Sequence, residues 1–148
     1  MRQQQLDQIQ KLIDCENASM VETNQGFELN WVYKGYPLHI TRVRHYGYLC
    51  GYIEVDVIED SEVFDIINQH FHGGVTYHRD GQIGFDCFHM GLGDFSLTHY
   101  YNVKKLDEDM CEFINNKKDN HYVTLSEVKT CFTTTVDALI KSSKNQWK

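Results

Sequence analysis

A chain of 148 residues with 41% hydrophobic and 13% aromatic residues can bury a sizeable core, which argues against an intrinsically disordered chain. The formal net charge of -7 disfavours broad nucleic-acid binding, because neutralising phosphates takes clustered lysine and arginine. A pocket for one or two phosphates needs only a few local cations, so a small anionic ligand stays compatible with this charge.

The five cysteines are Cys15, Cys50, Cys87, Cys111 and Cys131. Their number is odd and no two follow a C-x-x-C spacing, which disfavours both a disulfide framework and a four-thiolate zinc site. The N-terminal segment MRQQQLDQIQ is too polar for a signal peptide, and no apolar run approaches the roughly 20 residues that span a bilayer. We therefore expect a cytoplasmic protein that binds no membrane and needs no cofactor.

The first 16 residues predict an amphipathic helix. Apolar side chains recur at a helical spacing in an otherwise polar segment, at Leu6, Ile9, Leu12 and Ile13. We expect this stripe to pack on the rest of the domain, and it is also a candidate contact in a homo-oligomer.

From residue 27 the pattern changes to β-branched and aromatic residues punctuated by Lys34-Gly35 and Tyr46-Gly47, which indicates a meander of three strands. The predicted strands are Phe27–Tyr33, Pro37–His45 and Tyr48–Asp56. Residues 60–70 then predict a short helix capped by Ser61, with a loop held by hydrophobic anchors as the alternative. Two more strands, Gly74–His78 and Gln82–Phe88, flank Asp80-Gly81, a strong signal for a tight β-hairpin.

The C-terminal part divides into an irregular stretch and a helix. Residues 90–120 are polar and glycine-containing, and predict irregular structure with one short helix. Thr124 and Glu127 form a capping box ahead of a helical apolar stripe, so a helix is expected over 124–142. The whole chain, 1–148, is predicted to be one α+β domain: a mainly antiparallel sheet of about five strands within 27–89, with N- and C-terminal helices.

Chemically versatile residues are concentrated around the predicted hairpin. The expected strand pairing brings the two ends of this segment together, so it places a small set of polar residues in one neighbourhood. These residues are His72, Asp86, Cys87, His89 and Asp94. The adjacent Gly73 and Gly74 would let a backbone or a ligand approach closely.

This set has both a catalytic and a structural interpretation. As an enzyme site, Cys87 would be the nucleophile, His72 or His89 the base, and Asp86 or Asp94 the orienting carboxylate. As structure, Cys87 is a small buried hydrophobe and Asp86 a hydrogen-bond acceptor that pins a loop. The histidines show no closely spaced H-x-H or H-x-x-x-H pair, so no metal site is predicted.

A second candidate element is the stretch TRVRHYGYLCGY. Arg42 and Arg44 are two residues apart on a predicted strand and would project together, a geometry that suits a bidentate grip on phosphate. Three tyrosines could supply a stacking surface for a base: Tyr46, Tyr48 and Tyr52. The alternative is that both arginines lie on an exposed strand face and pair with the excess of acidic residues.

Three motifs in this region resemble a group of small, mostly uncharacterised proteins encoded by bacteriophages and prophages. That group follows the pattern Y-C-G-Y, then H-G-G-[LIV]-T-[YF], then G-F-D-C-x-H-x-G-D. The matching segments are Tyr48–Tyr52, His72–Tyr77 and Ile83–His89, about the middle third of the chain. The final G-D is stretched here to GLGD, residues 91–94, so the chain departs from the pattern at Asp94. The resemblance implies an origin in a mobile element and carries no established catalytic role.

The resemblance, the aromatic residues and the compact polar set together predict a phage- or prophage-derived protein that binds a small nucleotide-like ligand in the host cytoplasm. Sequestration of a host immune signal, an anti-defence activity, is the expected role. The predicted ligand-binding residues are His72, Gly73, Gly74, Tyr77, Asp86, His89, Arg42 and Arg44. The alternatives are a small Cys/His-dependent hydrolase or transferase and a protein-interaction domain.

Overall fold

The fold is that of a computed structural model, which describes residues 2–106 and 121–145. Helices occur at both ends of the chain and strands occupy its middle, as the sequence patterns predict. The elements in chain order are α1 (Gln3–Ala18), β1 (Val21–Glu22), β2 (Gly26–Tyr33), β3 (Tyr36–Val43), β4 (Leu49–Glu54), α2 (Glu62–His70), β5 (Tyr77–Arg79), β6 (Gln82–Asp86), a 3-10 turn (Met90–Leu92), α3 (Leu97–Leu106) and α4 (Leu125–Asn145).

The strands form an antiparallel sheet in the order β1-β2-β3-β4-β6-β5. The α+β class with N- and C-terminal helices is therefore confirmed. The described residues form six strands, where about five were predicted. The additional strand is β1, whose two residues pair with Glu28 and Phe27 of β2 and are too short to leave a period-2 signal in the sequence.

Two predicted hairpin turns are confirmed by their backbone conformation. Lys34 and Gly35 have φ of 49° and 87°, and Asp80 and Gly81 have φ of 55° and 74°. Positive φ at both central residues is the requirement of a type I′ turn, whose twist matches that of the flanking strands. These two dipeptides therefore set the β2–β3 and β5–β6 connections.

Several predicted strand ends are wrong by two or three residues. The prediction placed a strand over Gly74–His78, but β5 begins only at Tyr77, because Gly73 and Gly74 have φ of 71° and 84° and form a turn. The second predicted strand ends at Val43, two residues early. The third is shorter at both ends, at Leu49–Glu54, and the last ends at Asp86 rather than Phe88.

The helix starts follow their capping residues. The Ser61 side chain accepts a hydrogen bond from the Phe64 amide at 3.2 Å, so the helical interpretation of residues 60–70 is confirmed over the loop. At α4 the Glu127 carboxylate accepts from the Thr124 amide and the Thr124 hydroxyl accepts from the Glu127 amide, both at 3.1 Å. The stretch predicted as irregular contains α3, and its residues 107–120 lie outside the described part of the chain.

The chain divides into two compact units. The described part of the first unit consists of residues 2–29, 41–49, 87–106 and 121–123. On α1, Leu6 and Ile13 are buried as the stripe predicts, whereas Leu12 is 40% exposed. The remaining members of this core come from the later segments: Phe95, Leu97, Tyr100 and Tyr122.

The second unit consists, in its described part, of residues 30–40, 50–86 and 124–145. Its core is built around aromatic rings, with the Phe85 centroid 4.8 Å from Phe71 and 5.6 Å from Phe132. Gly51 lies directly beneath these rings, since a Cβ there would come within 2.5 Å of Phe132. The glycine of the Y-C-G-Y motif is thus required by packing.

In residues 2–106 and 121–145, none of the helices combines the length and the apolar character that crossing a membrane requires.

Candidate functional site

The H-G-G segment forms a turn that follows α2 in the second unit. The Asn68 side-chain oxygen accepts a hydrogen bond from the Val75 amide at 2.8 Å, and the Gly74 amide donates to Phe71 O at 2.9 Å. A Cβ at Gly74 would come within 2.9 Å of the same Asn68 oxygen. Gly73 and Gly74 were predicted as ligand contacts, and their positive φ gives both a structural role in this turn.

The half-buried His72 belongs to the same turn, which Cys131 of α4 contacts. The Cys131 thiol donates to His70 O at 3.2 Å and also contacts the backbone at His72. Burial raises the pKa of Cys131 above its usual value, and the hydrogen bond at His72 offsets this only in part. Cys131 is therefore a neutral thiol that anchors the turn.

The hairpin strands position Tyr77 and Asp86 near a tyrosine of β4. Tyr52 and Tyr77 both lie opposite Gly84, and their rings meet edge-on at 5.2 Å. A Cβ at Gly84 would come within 2.5 Å of both the Tyr52 ring and Gly51 O. Because Gly84, the glycine of G-F-D-C, has no Cβ, the Tyr52 ring can lie across β6 at this position.

Asp86 lies directly opposite Cys50 in the β4–β6 pairing. Burial and the negative charge of Asp86 raise the pKa of Cys50 to about 11. Burial also raises the pKa of Tyr52 to about 12, with further contributions from Cys50 and Asp86. The second unit thus brings two predicted site residues, Tyr77 and Asp86, together around Tyr52, beside a thiol that is protonated at neutral pH.

The first unit contains the remaining predicted residues, beginning with Cys87. The Cys87 side chain is 1% exposed, and its amide donates to Leu49 O at 2.9 Å, so its environment matches the structural interpretation. The His89 amide donates to Asp94 Oδ2 at 2.7 Å, and Asp94 is itself buried. The Asp94 carboxylate therefore closes the loop that follows Cys87.

Arg42 and Arg44 have separate environments. Arg42 lies on β3 and is 4% exposed; its guanidinium donates to Glu16 Oε1 at 2.6 Å and to Tyr122 Oη at 2.7 Å. The Tyr122 hydroxyl donates in turn to the same Glu16 oxygen at 2.5 Å, and burial strongly raises the pKa of this tyrosine. Two of the donors of Arg42 are thus committed to a buried network.

Arg44 lies one residue beyond the end of β3, so the prediction that both arginines belong to one strand is wrong. It forms an ion pair with Glu22, and its guanidinium lies 5.4 Å from the centroid of the Phe27 ring. The alternative, pairing with acidic residues, is therefore realised at both positions, although only Arg44 is exposed. Ligand binding by either arginine stays a prediction.

Aromatic rings in the first unit form a row that we call the aromatic stack: Tyr46, Tyr48, Phe88 and His99. The Tyr46 and Tyr48 rings are 5.4 Å apart at an interplanar angle of 11°, and Tyr48 and Phe88 are 5.2 Å apart at 17°. His99 continues the row at 4.9 Å from Phe88, tilted by 58°. Tyr46 ends the row and is 52% exposed.

The turn that carries Tyr46 is fixed on several sides. The Tyr46 amide donates to Val43 O at 3.0 Å, and the Ser96 hydroxyl donates to Tyr46 O at 2.8 Å. Gly47 has a φ of 67° and lies against α3, where a Cβ would come within 2.2 Å of Thr98 Oγ1. Of the three tyrosines predicted as a stacking surface, Tyr46 and Tyr48 lie in this row, whereas the ring of Tyr52 packs on Tyr77. The sequence did not indicate Phe88 and His99, which join the row only through the fold.

A groove of about 470 Å³ lies at the hairpin end of the second unit. It is lined by Glu54, Val55, Asp56, Asp80, Gly81 and Gln82. None of the predicted site residues lines this groove. Within the part of the chain that the structure describes, no group of three or more His, Cys, Asp or Glu side chains is arranged to hold a metal ion.

Comparisons of the chain with protein-family models, with curated proteins and with solved structures find no match.

Proposed function

We propose that this protein binds a small nucleotide-like ligand whose planar ring stacks on Tyr46 at the end of the aromatic stack. The observation that supports this most is the near-parallel arrangement of Tyr46 and Tyr48, with half of the Tyr46 side chain exposed. A base stacking on an aromatic side chain contributes about 1–3 kcal/mol and does not depend on base identity.

The fixed turn favours such binding. The Tyr46 backbone is held by Val43 and Ser96, and one side of its ring is supported by Tyr48, so binding would freeze little additional motion. Preorganisation of this kind raises affinity because less conformational entropy is lost on association. The stack ends at one exposed ring, which suits a single planar group better than a polynucleotide strand, and the net charge of -7 supports the same choice.

The biological role we propose is sequestration of a host immune signal, an anti-defence function. Its support is the resemblance of three motifs to phage and prophage proteins, together with a binding surface whose chemistry fits a nucleotide signal. A protein that holds a signal without converting it needs no nucleophile, and the 1% exposure of Cys87 lends no support to the hydrolase or transferase alternative.

The test is a set of binding titrations with nucleosides, their monophosphates, cyclic nucleotides and ADP-ribose derivatives. Tyr46→Ala should weaken binding of the ligand by about 5- to 150-fold, the equivalent of one lost stacking contact, whereas Tyr46→Phe should retain it. Tyr101→Ala is the matched control, because Tyr101 is another exposed tyrosine of the first unit. Failure of every ligand to bind the folded protein, or equal affinity of the Tyr46→Ala and native proteins, would contradict the proposal.

A further inference from the structure

The ion pair between Arg44 and Glu22 is exposed. The Arg44 side chain is 49% exposed and that of Glu22 is 65% exposed. Ion pairs in such positions contribute about 0–1 kcal/mol, because water screens the attraction and two long side chains lose freedom. The Arg44–Glu22 pair can therefore be exchanged at little cost for another anion.

Arg44 is also incompletely used by its partner. Glu22 accepts from one guanidinium nitrogen, Nη2. A phosphate engages an arginine through two parallel hydrogen bonds, which are stronger and geometrically more specific than a single one. A phosphate that accepts from two of the guanidinium nitrogens would therefore make one hydrogen bond more than Glu22 makes. Arg42 contrasts with it, since its partners are buried.

The same turn carries this cation and the exposed end of the aromatic stack. Arg44 precedes Tyr46 by two residues, and the amides of Tyr46 and Gly47 both donate to Val43 O, at 3.0 and 3.2 Å. The Arg44 amide donates to Gln25 O at 3.0 Å, which fixes the backbone of the cation as well. The guanidinium and the stacking ring are therefore carried by one hydrogen-bonded backbone segment of the first unit.

We propose that Glu22 occupies Arg44 in the free protein and that a phosphate of the ligand replaces it, so that this exchange makes the site selective for nucleotides over nucleosides. The inference rests on the proposed function, because it assumes that the base stacks on Tyr46. Glu22 is therefore a specificity-determining residue. Its carboxylate repels anions weakly and stays paired with Arg44 until a phosphate forms two hydrogen bonds with the guanidinium.

The test compares each nucleoside with its monophosphate, using the adenine, guanine, cytosine and uracil pairs. For the native protein the monophosphate should bind at least about 10-fold tighter than the nucleoside, the typical effect of hydrogen bonds to a charged group. Arg44→Gln should remove this preference while leaving nucleoside affinity within about twofold. Glu22→Gln should tighten monophosphate binding by about 2- to 5-fold and leave nucleoside binding unchanged.

Asp14→Asn is the matched control, because it removes one exposed carboxylate from α1 and should leave both affinities as they are. Equal binding of nucleosides and monophosphates, or an Arg44→Gln protein that keeps the preference, overturns this inference and leaves ring stacking intact. A Glu22→Gln effect no larger than that of Asp14→Asn overturns the role of Glu22. If none of the eight compounds binds, this inference is overturned. The proposed function fails with it if the cyclic nucleotides and ADP-ribose derivatives do not bind either.

Discussion

At the scale of single residues, the burial and the hydrogen bonds of each side chain distinguish those that stabilise the fold from those that face solvent. Arg42 and Cys87 were candidate site residues by type, yet each is almost completely buried, and the Arg42 guanidinium is held by Glu16 and Tyr122. Sequence could not have paired these residues, because Glu16 is 26 positions from Arg42 and Tyr122 is 80 away. Long-range partners of this kind follow from the fold, and no local spacing signals them.

The raised pKa values of Cys50 and Tyr52 predict that the protein loses stability in alkaline solution. Folding raises the pKa of Cys50 from 9.0 to about 11 and the pKa of Tyr52 from 10.0 to about 12. The folded state therefore favours the neutral form of both groups. The contribution is complete below the unfolded pKa and is lost as pH rises through the folded one. For Cys50 it is at most about 2–3 kcal/mol, since one pKa unit corresponds to about 1.4 kcal/mol.

Denaturant unfolding at a series of pH values measures this effect. The free energy of unfolding should stay level from about pH 7 to about pH 8 and fall between about pH 9 and about pH 12. Cys50→Ala should flatten this decline, and the Cys50→Ala, Tyr52→Phe double variant should flatten it further. A double variant with the same alkaline slope as the native protein would show that these groups do not cause it.

At the scale of elements, turns and caps were predictable and strand ends were not. The type of the two hairpin turns depends only on the dipeptides Lys34-Gly35 and Asp80-Gly81. The helix starts depend on the nearby capping residues Ser61 and Thr124, so both features are local in the sequence. By contrast, Gly74, the second glycine of the H-G-G segment, was predicted to begin a strand. The segment is a turn that depends on Asn68, a residue six positions before Gly74.

The motif glycines illustrate the same limit. Gly51 and Gly84 are required because rings from distant positions fill the space where a Cβ would be. The resemblance highlighted both glycines, but the reason that each position needs glycine is tertiary packing, which a sequence motif does not reveal. The candidate site was likewise predictable only in part. Tyr46 and Tyr48 are two residues apart, so their proximity is visible in the sequence, whereas Phe88 and His99 join the stack only in the folded chain.

Replacement of Gly84 by alanine should destabilise the protein by about 1–3 kcal/mol, the usual effect of overpacking a well-filled core. The added methyl would come within 2.5 Å of Gly51 O, a backbone atom that cannot move away as a flexible side chain can. Gly91→Ala is the matched control, since nothing lies within 4 Å of its Cβ position, and it should change stability by less than about 0.5 kcal/mol. Equal unfolding midpoints for the two variants would contradict the packing argument.

At the scale of the whole molecule, the composition and the net charge indicated the class of protein but did not identify a ligand. The apolar content predicted a folded core, and the alternation of strand and helix patterns predicted the α+β class that the structure has. The proposed function rests on a smaller part of the chain. Within the first unit, the fixed turn from Val43 to Gly47 carries an exposed cation and the exposed end of a row of aromatic rings.

The central claim, that a ligand ring stacks on Tyr46, is tested most directly by nuclear magnetic resonance of the tyrosine side chains during titration with the nucleotide set. Ring currents from a stacked base shift nearby aromatic resonances, so the account predicts saturable shifts at Tyr46, smaller ones at Tyr48, and none at Tyr52 or Tyr77 of the second unit. Saturable binding that shifts Tyr52 and Tyr77 while leaving Tyr46 unchanged would contradict it.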